Sequence, residues 1–213
     1  MERGRFITFE GGEGAGKSTQ VRLLGNALSA AGRRVVVVRE PGGTPLAEKV
    51  RHLLKEYQED PPSAKAELLL FLAARAQLVE KTILPALAGG AWVLSDRFSD
   101  STFAYQGFGR GLPLDAIKEL DSFACGGLVP DATFFLDLPA SAAAGRMRRR
   151  EAATGVAADR FERADGGFHD RVRDGFRALA AAAPERIVTV DASAAPEVVA
   201  GRIYETLSRR GMV

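Results

Sequence analysis

Gly11-Gly12-Glu13-Gly14-Ala15-Gly16-Lys17-Ser18 follows a short apolar run and precedes a helical pattern, and this stretch decides the fold. Its pattern of glycine, four variable residues, glycine, lysine and serine is typical of a loop that binds the phosphates of a nucleotide. Gly11 and Gly16 leave room for the backbone to turn and to approach phosphate oxygens. Lys17 supplies a mobile ammonium, and the Ser18 hydroxyl is a ligand suited to Mg²⁺. The stretch therefore predicts a phosphate loop.

The flanking sequence has the order that such a loop requires, namely strand, loop and helix. Residues 5–10 are rich in β-branched and aromatic side chains, and apolar residues recur at helical spacing from Val21 to Leu28. The positive end of that helix adds to the attraction for phosphate. We expect the nucleotide to bind at nine consecutive residues: Gly11, Gly12, Glu13, Gly14, Ala15, Gly16, Lys17, Ser18 and Thr19.

Composition and charge limit the classes of protein that the sequence allows. The chain has 213 residues, of which 46% are hydrophobic and 26% are charged, and we predict one domain over residues 1–213. A net charge of +2 is too small to indicate bulk nucleic-acid binding. The single cysteine, Cys125, cannot form an internal disulfide, and no segment resembles a signal peptide or a membrane span. We therefore expect a cytoplasmic protein without membrane contact.

Five apolar runs alternate with helical patterns, which predicts a three-layer α/β/α fold with a five-stranded parallel sheet. The predicted strands are residues 5–10, 35–38, 92–97, 133–138 and 187–190. Residues 35–38 are four valines in a row, typical of a central strand that is buried on both faces. The predicted helices after the first are residues 45–57, 63–88, 113–123, 140–150, 168–183 and 196–210. The helix at 63–88 is apolar nearly all round and needs cover on more than one side.

Charged and polar residues follow the predicted strands at the sheet edge where open α/β sheets bind ligands. Asp96 ends the third predicted strand, where a carboxylate can hold Mg²⁺ directly or through water, so Ser18 and Asp96 are the predicted metal ligands. Arg97 follows it and can grip an acceptor phosphate in a bidentate manner. A phosphate loop on such a sheet leaves four classes open: nucleotide kinase, switch GTPase, ATP-driven motor and non-hydrolysing binding module. The chain has no Asn-Lys-x-Asp guanine motif and is short for a motor, which favours phosphoryl transfer to a small acceptor.

The chain resembles the bacterial thymidylate kinases, which transfer the γ-phosphate of ATP to dTMP. The resemblance covers essentially the whole chain and implies the nucleoside monophosphate kinase version of the P-loop NTPase fold. The residues that carry it are 9–19, Arg39-Glu40-Pro41-Gly42-Gly43-Thr44, Phe71, Arg75, Asp96-Arg97, Ser101-Thr102-Phe103-Ala104-Tyr105-Gln106-Gly107, Pro130-Asp131, Leu136-Asp137 and Asp159-Arg160-Phe161-Glu162.

The resemblance implies a dTMP site with a role for each contact. Phe71 stacks on thymine, and Arg75, one helical turn later, bonds a base carbonyl. Tyr105 lies near the sugar and obstructs a 2′-hydroxyl, whereas Glu13 meets the 3′-hydroxyl. The further implied substrate contacts are Glu40, Pro41 beside the 5-methyl group, Arg51 and Arg97 on the phosphate, and Ser101, Thr102 and Gln106 near the base. Backbone near residues 191–193 is implied to contact adenine.

The resemblance also implies a mobile lid at about residues 146–163, because position 13 is glutamate and the basic residues lie in the lid, as in bacterial members. The helical spacing of Arg146, Arg149 and Arg150 predicts one shared face, with Met147 pointing elsewhere. A guanidinium suits the charge of a loose phosphoryl-transfer transition state. We rank Arg149 and Arg160 first for this contact. Together with the phosphate-binding residues, they complete the set of predicted catalytic residues: Lys17, Arg97, Arg149 and Arg160.

The remaining expectations concern partners and rivals. The family resemblance and the apolar helix at 63–88 predict a homodimer. The arginine cluster lacks interleaved aromatic residues, so we expect no nucleic-acid partner. His52, His169 and Cys125 have no predicted role, because the acceptor is an already ionised phosphate and needs no strong base. The alternatives are a kinase for another monophosphate, such as dUMP, UMP or AMP, and a non-catalytic nucleotide-binding regulator; the pyrimidine-sized set of Phe71, Arg75 and Tyr105 argues against AMP.

Overall fold

A five-stranded parallel sheet forms the centre of the molecule, as predicted, with the strand order β2-β3-β1-β4-β5. The structure, a computed structural model, describes residues 3–55, 60–155, 160–161 and 163–213. The strands are β1 (Phe6–Glu10), β2 (Val35–Arg39), β3 (Trp92–Asp96), β4 (Ala132–Asp137) and β5 (Ile187–Asp191). Because β1 lies at the centre, the phosphate loop that follows it emerges in the middle of the ligand-binding edge.

Helices cover both faces of the sheet. They are α1 (Lys17–Ala30), α2 (Pro45–Lys55), α3 (Ala64–Leu78), α4 (Leu84–Ala88), α5 (Ser99–Thr102), α6 (Leu114–Cys125), α7 (Ala140–Thr154), α8 (Gly166–Ala182) and α9 (Pro196–Arg209). On one face, Ile7 and Phe9 pack with residues of α1 and α9. On the other face, Phe6 packs beneath the helical segment that joins α3 to α4. The alternation of side chains along β1 thus produces the predicted three layers.

Two helical segments have a π-helical geometry that the sequence did not reveal. Val79–Ile83 connects α3 to α4, so the predicted helix at 63–88 is continuous but changes its hydrogen-bond register. Pro85 follows this turn and has no N–H to offer to the preceding turn, which favours the change of register. Phe103–Gly109 continues α5 and carries Tyr105 and Gln106, in a stretch where we had predicted no helix.

The prediction that residues 35–38 form a central strand is wrong. β2 lies at one edge of the sheet and pairs only with β3, and the Val37 side chain is 57% exposed. Val36 and Val38 still pack on one core cluster and Val35 on another. A run of valines satisfies strand propensity at an edge as well as at the centre, so it does not reveal the position of the strand.

Candidate active site

A cavity of about 680 Å³ opens at the carboxyl ends of the strands, around the phosphate loop. It brings together all the predicted site residues except Gly11, Gly12 and Arg160. The predicted residues that line it are Glu13, Gly14, Ala15, Gly16, Lys17, Ser18, Thr19, Glu40, Pro41, Arg51, Phe71, Arg75, Asp96, Arg97, Ser101, Thr102, Tyr105, Gln106 and Arg149. It also includes Ala192, from the stretch implied to contact adenine, and Met147, which we expected to point elsewhere. The lining residues to which we assigned no role are Gln20, Arg39, Lys55, Phe161, Ala194, Pro196 and Val199.

The phosphate loop depends on glycine at Gly11 and Gly16, as predicted. Gly11 has a φ of 136° and approaches β4 so closely that a Cβ there would lie 2.6 Å from the Leu136 carbonyl oxygen. Gly16 has a φ of 93° and leads directly into α1. Both backbone conformations disfavour other residues. The loop therefore turns back over the sheet and directs the N-terminus of α1 at the cavity.

Lys17 folds back into this loop. Its Nζ donates to the Gly12 carbonyl at 2.8 Å and to the Gly11 carbonyl at 3.1 Å, and the side chain is largely buried. Burial, together with the charge of Arg97, lowers the pKa of Lys17 to about 8 despite the nearby carboxylates. The ammonium is thus ready to exchange backbone carbonyls for phosphate oxygens.

Ser18 and Asp96 meet at the predicted metal position. The Ser18 hydroxyl donates to an Asp96 carboxylate oxygen at 2.5 Å, because β1 and β3 are neighbours and Asp96 pairs in register with Phe9. A hydroxyl and a carboxylate are the hard oxygen ligands that Mg²⁺ prefers while it keeps several waters. The two side chains fit a Mg²⁺ ion held by few protein ligands. Among the described residues, no cluster of three or more acidic, histidine or cysteine side chains offers a metal site with more protein ligands.

Arg97 connects the phosphate loop to the part of the cavity where we predicted the acceptor site, which we call the acceptor side. Its guanidinium donates to the Gly11 carbonyl at 2.9 Å, to Glu13 at 2.5 Å, to Ser101 at 3.0 Å and to the Tyr105 hydroxyl at 3.0 Å. The residue has a φ of 75°, a strained conformation for a non-glycine residue that is typical of functional sites. Burial alone would raise the pKa of Glu13, but Arg97 holds that pKa well below its usual range.

Arg75 lies at the bottom of the acceptor side with its side chain only 1% exposed. It donates to Glu40 at 2.7 Å, to Asp121 at 2.6 Å and to the Phe98 carbonyl at 3.0 Å. Three of its five N–H groups are engaged in these bonds. Burial raises the pKa of Glu40 to about 7, and the Oε1 atom of Glu40 is buried without a partner. The role of Asp121 was not predicted, because nothing in its local sequence marks it as a partner of α3.

The rings of Phe71, Tyr105 and Phe161 form one wall of the cavity, which we call the acceptor wall. Phe71 lies 5.8 Å and Tyr105 lies 6.3 Å from the ring centre of Phe161, both edge to face. Thr102 also lines this part of the cavity, and its hydroxyl is buried without a partner. Arg51 donates to the Pro41 carbonyl at 2.9 Å, at the same edge of the cavity. These surroundings suit a small planar ring with polar edges.

Helix α7, which overlaps the predicted lid, reaches the cavity with Arg146 and Arg149 of the predicted face and also with Met147. Met147 does not point away, as we expected, but lines the cavity and packs close to Gly14 of the phosphate loop. Gly14 is approached by the Ala143 carbonyl and by Met147, one turn apart, which sets this orientation. Arg149 is exposed at the cavity, and Arg146 donates to the Ala192 carbonyl at 2.9 Å, on the side where backbone contacts to adenine were predicted.

The structure brings Arg160 to a different place from Arg149. Its guanidinium donates to Glu67 at 2.6 Å and to the Leu54 carbonyl, and it does not line the cavity. The Arg150 side chain and residues 156–159 and 162, which include Asp159 and Glu162 of the resemblance, lie outside the described part of the chain. Tyr57, the predicted end of the second helix, also lies outside it.

Three further residues had no predicted role. Cys125 ends α6, and burial raises the pKa of its thiol to about 12, which agrees with the prediction that it is no nucleophile. His52 is exposed. His169 is partly buried, and its Nε2 atom is buried without a hydrogen-bond partner.

Comparison with known proteins identifies the family of the chain. The family model described as thymidylate kinase matches residues 9–203. A thymidylate kinase of Rhizorhabdus wittichii is 50% identical over 96% of this chain and 97% of its own length, and one of Chromohalobacter salexigens is 50% identical over 99% and 98%. The crystal structure of thymidylate kinase from Ehrlichia chaffeensis has a TM-score of 0.77 at 35% identity and covers 96% of this chain and 99% of its own. The resemblance is confirmed, and the chain belongs to the thymidylate kinase family.

Proposed function

We propose that the protein transfers the γ-phosphoryl group of ATP to dTMP, giving ADP and dTDP in dTTP synthesis. The observation that carries this proposal is the position of Arg97, whose guanidinium bonds Glu13 of the phosphate loop and Tyr105 of the acceptor wall at once. A cation held between the two sites can bring an acceptor phosphate up to the phosphate loop. Such positioning supplies much of the rate enhancement in phosphoryl transfer.

Each charged group has a separate task in this reaction. Lys17 moves from backbone carbonyls to the β- and γ-phosphates, and Arg97 binds the dTMP phosphate. Ser18 and Asp96 hold Mg²⁺, which when bound neutralises charge on the ATP phosphates. Arg149, which lines the cavity from α7, approaches the transferring phosphoryl group. No side chain needs to remove a proton, because the attacking oxygen belongs to an ionised phosphate.

The acceptor wall and the residues around it account for the proposed preference of the enzyme for dTMP. Phe71 stacks on thymine, Arg75 turns one of its remaining N–H groups to a base carbonyl, and Tyr105 obstructs a ribose 2′-hydroxyl. Glu13 lies beside Tyr105, where it can accept a bond from the 3′-hydroxyl. In the rival proposal, a dUMP or UMP kinase, the base would bind against the same wall. These substrates differ from dTMP only in lacking the 5-methyl group and, for UMP, in carrying a 2′-hydroxyl on the sugar.

The test is ADP formation from ATP and Mg²⁺ with dTMP, dUMP, UMP, dCMP, AMP and GMP as acceptors. A dominant rate with dTMP is expected. If another monophosphate dominates, the acceptor assignment is overturned while phosphoryl transfer stands. Tight ATP binding without turnover on any acceptor would favour the regulator.

We also propose a homodimer that forms through α3 and α6. These helices pack together, and both leave large apolar side chains exposed, including Leu69, Leu120 and Phe123, which is 90% exposed. Exposed apolar groups of this size mark protein interfaces. Sedimentation at micromolar concentration is expected to give a dimer, and Phe123→Glu to give a monomer with an unchanged far-UV spectrum. A monomeric wild type would contradict the proposal.

The expectations on location and nucleic acid stay predictions. Among the described residues, no helix has the length and apolar character needed to cross a membrane. A cytoplasmic location rests on the lone Cys125, and the absence of a nucleic-acid partner rests on the small net charge.

A further inference from the structure

The Glu67 carboxylate on α3 collects donors from two other segments, although its side chain is only 1% exposed. Gln106 donates to Oε1 at 2.8 Å, and Arg160 donates to Oε2 at 2.6 Å. Arg110 spans both oxygens at 3.3 and 3.2 Å. Gln106 comes from the π-helical segment that forms the acceptor wall and Arg160 from the end of the predicted lid. Glu67 therefore connects the acceptor wall to the lid.

Arg160 is held from a second side as well. Its Nε donates to the Leu54 carbonyl at the end of α2, so one guanidinium connects α2 and α3. The same guanidinium lies 4.5 Å from the ring centre of Phe161, over its face. Phe161 is buried, lines the cavity and meets the rings of Phe71 and Tyr105. The bonds of Arg160 thus fix the ring that follows it against the acceptor wall.

We propose that Glu67 is a positioning residue that, through Arg160, holds Phe161 in the wall of the acceptor-base pocket. The proposal rests on the proposed function, since it assigns that wall to the dTMP base. It differs from our ranking of Arg160 as a catalytic residue, because the Arg160 guanidinium is bound to Glu67 and Leu54 and does not line the cavity. Desolvation offsets much of the attraction in a buried ion pair, so the main effect of this cluster is on geometry.

The experiment is a double-mutant cycle with Glu67→Gln, Arg160→Gln and both together. Either single change releases Phe161, so each is expected to raise the KM and the Kd for dTMP by up to about tenfold, because the loosened ring must be ordered again when the base binds. The double variant is expected to be no worse than the worse single variant, because both changes break one link. The kcat and the KM for ATP are expected to stay within about threefold of wild type.

Arg148→Gln is the matched control, since it removes an exposed lid arginine that does not line the cavity. It separates the loss of lid charge from the loss of the link to Glu67. Arg160→Lys is the conservative variant: an ammonium still reaches Glu67 but cannot also bond Leu54, so the KM for dTMP is expected to lie between those of wild type and Arg160→Gln.

The opposite pattern would overturn the proposal. If Arg160→Gln lowers kcat by about 100-fold or more and leaves the Kd for dTMP unchanged, Arg160 acts on the transferring phosphoryl group. Additive effects in the cycle would also reject the link. If Glu67→Gln fails to fold, the two Arg160 variants decide through the same split between Kd and kcat. The Kd for dTMP, measured by calorimetry without ATP, keeps this test separate from the acceptor panel, because it does not require turnover.

Discussion

The phosphate loop and the acceptor pocket share one cavity but are built from different parts of the chain. The loop obtains its shape from backbone, with Gly11, Gly14 and Gly16 all at positive φ, and its functional groups lie within eight consecutive residues. The acceptor pocket is built from side chains on α3, on the segment after α5, and at the end of the predicted lid. Backbone geometry is encoded locally, whereas a pocket of side chains depends on how distant elements pack.

The two regions also bury charge differently. In the loop, Lys17 is satisfied by carbonyl oxygens that a ligand can replace. Arg75 in the acceptor pocket and Arg160 behind its wall are fixed by buried carboxylates, so their charges maintain the shape of the pocket. This contrast predicts that changes in the loop mainly affect turnover and ATP, while changes in the pocket mainly affect the recognition of dTMP.

Lys17→Met should have the largest effect. Losing the one mobile ammonium of the phosphate loop is expected to lower kcat/KM for ATP by about 1,000-fold, the upper range for removal of one charge-stabilising group. The free energy of unfolding should not fall, because an apolar side chain of similar length replaces a buried ammonium. Steady-state kinetics and urea unfolding measure the two quantities. A loss of stability with normal kinetics would mean that Lys17 is a structural residue of the loop.

Arg97→Ala should come next, and it tests where the two regions meet. It is expected to lower kcat/KM for dTMP by about 100-fold, while ATP affinity changes only a few-fold. The control is Arg39→Ala, because Arg39 lines the same cavity but binds Glu48 of α2 and does not bind the loop. Equal losses for both substrates would remove Arg97 from the acceptor site.

The same contrast explains how far the sequence predicted the molecule. The phosphate loop and the five strands were predicted because motif and strand signals are local. Ser18 and Asp96 are 78 residues apart, and they were predicted together because ligands bind at the carboxyl ends of parallel strands. The edge position of β2 was missed because strand propensity does not encode the order of strands. The presence of Met147 on the cavity-lining face of α7 was missed because this side chain lies close to Gly14 of the phosphate loop, which helical spacing alone does not show. The links from Arg75 to Asp121 and from Glu67 to Arg160 join residues far apart in sequence.

Gly14→Ala should have a smaller effect, on stability. Gly14 has a φ of 71°, and an added Cβ would lie 3.0 Å from the Ala143 carbonyl oxygen. The left-handed backbone alone is expected to reduce the free energy of unfolding by about 1–2 kcal/mol in urea titrations. Gly12→Ala is the matched control, because no atom lies within 4 Å of a Cβ there and its φ is not positive. Equal stability of the two variants would show that the loop adapts its backbone.

The smallest predicted effect is the uptake of a fraction of a proton when ATP binds. Because burial lowers the pKa of Lys17 to about 8, about half of these side chains are uncharged in the free protein at pH 8. Bound phosphates favour the ammonium and raise that pKa, so ATP binding should take up about half a proton at pH 8 and about a tenth at pH 7. The affinity for ATP should accordingly weaken as the pH rises above about 8.

Calorimetry in buffers of different ionisation enthalpy measures this uptake directly. Glu10 complicates the result, since burial and the charge of Asp100 raise its pKa to about 8 and bound phosphate would raise it further. Lys17→Arg separates the two, because a guanidinium stays charged at these pH values and leaves only the contribution of Glu10. If the uptake in Lys17→Arg equals that in wild type, Lys17 is already fully charged in the free loop. The backbone carbonyls of Gly11 and Gly12 would then stabilise the ammonium fully before ATP arrives.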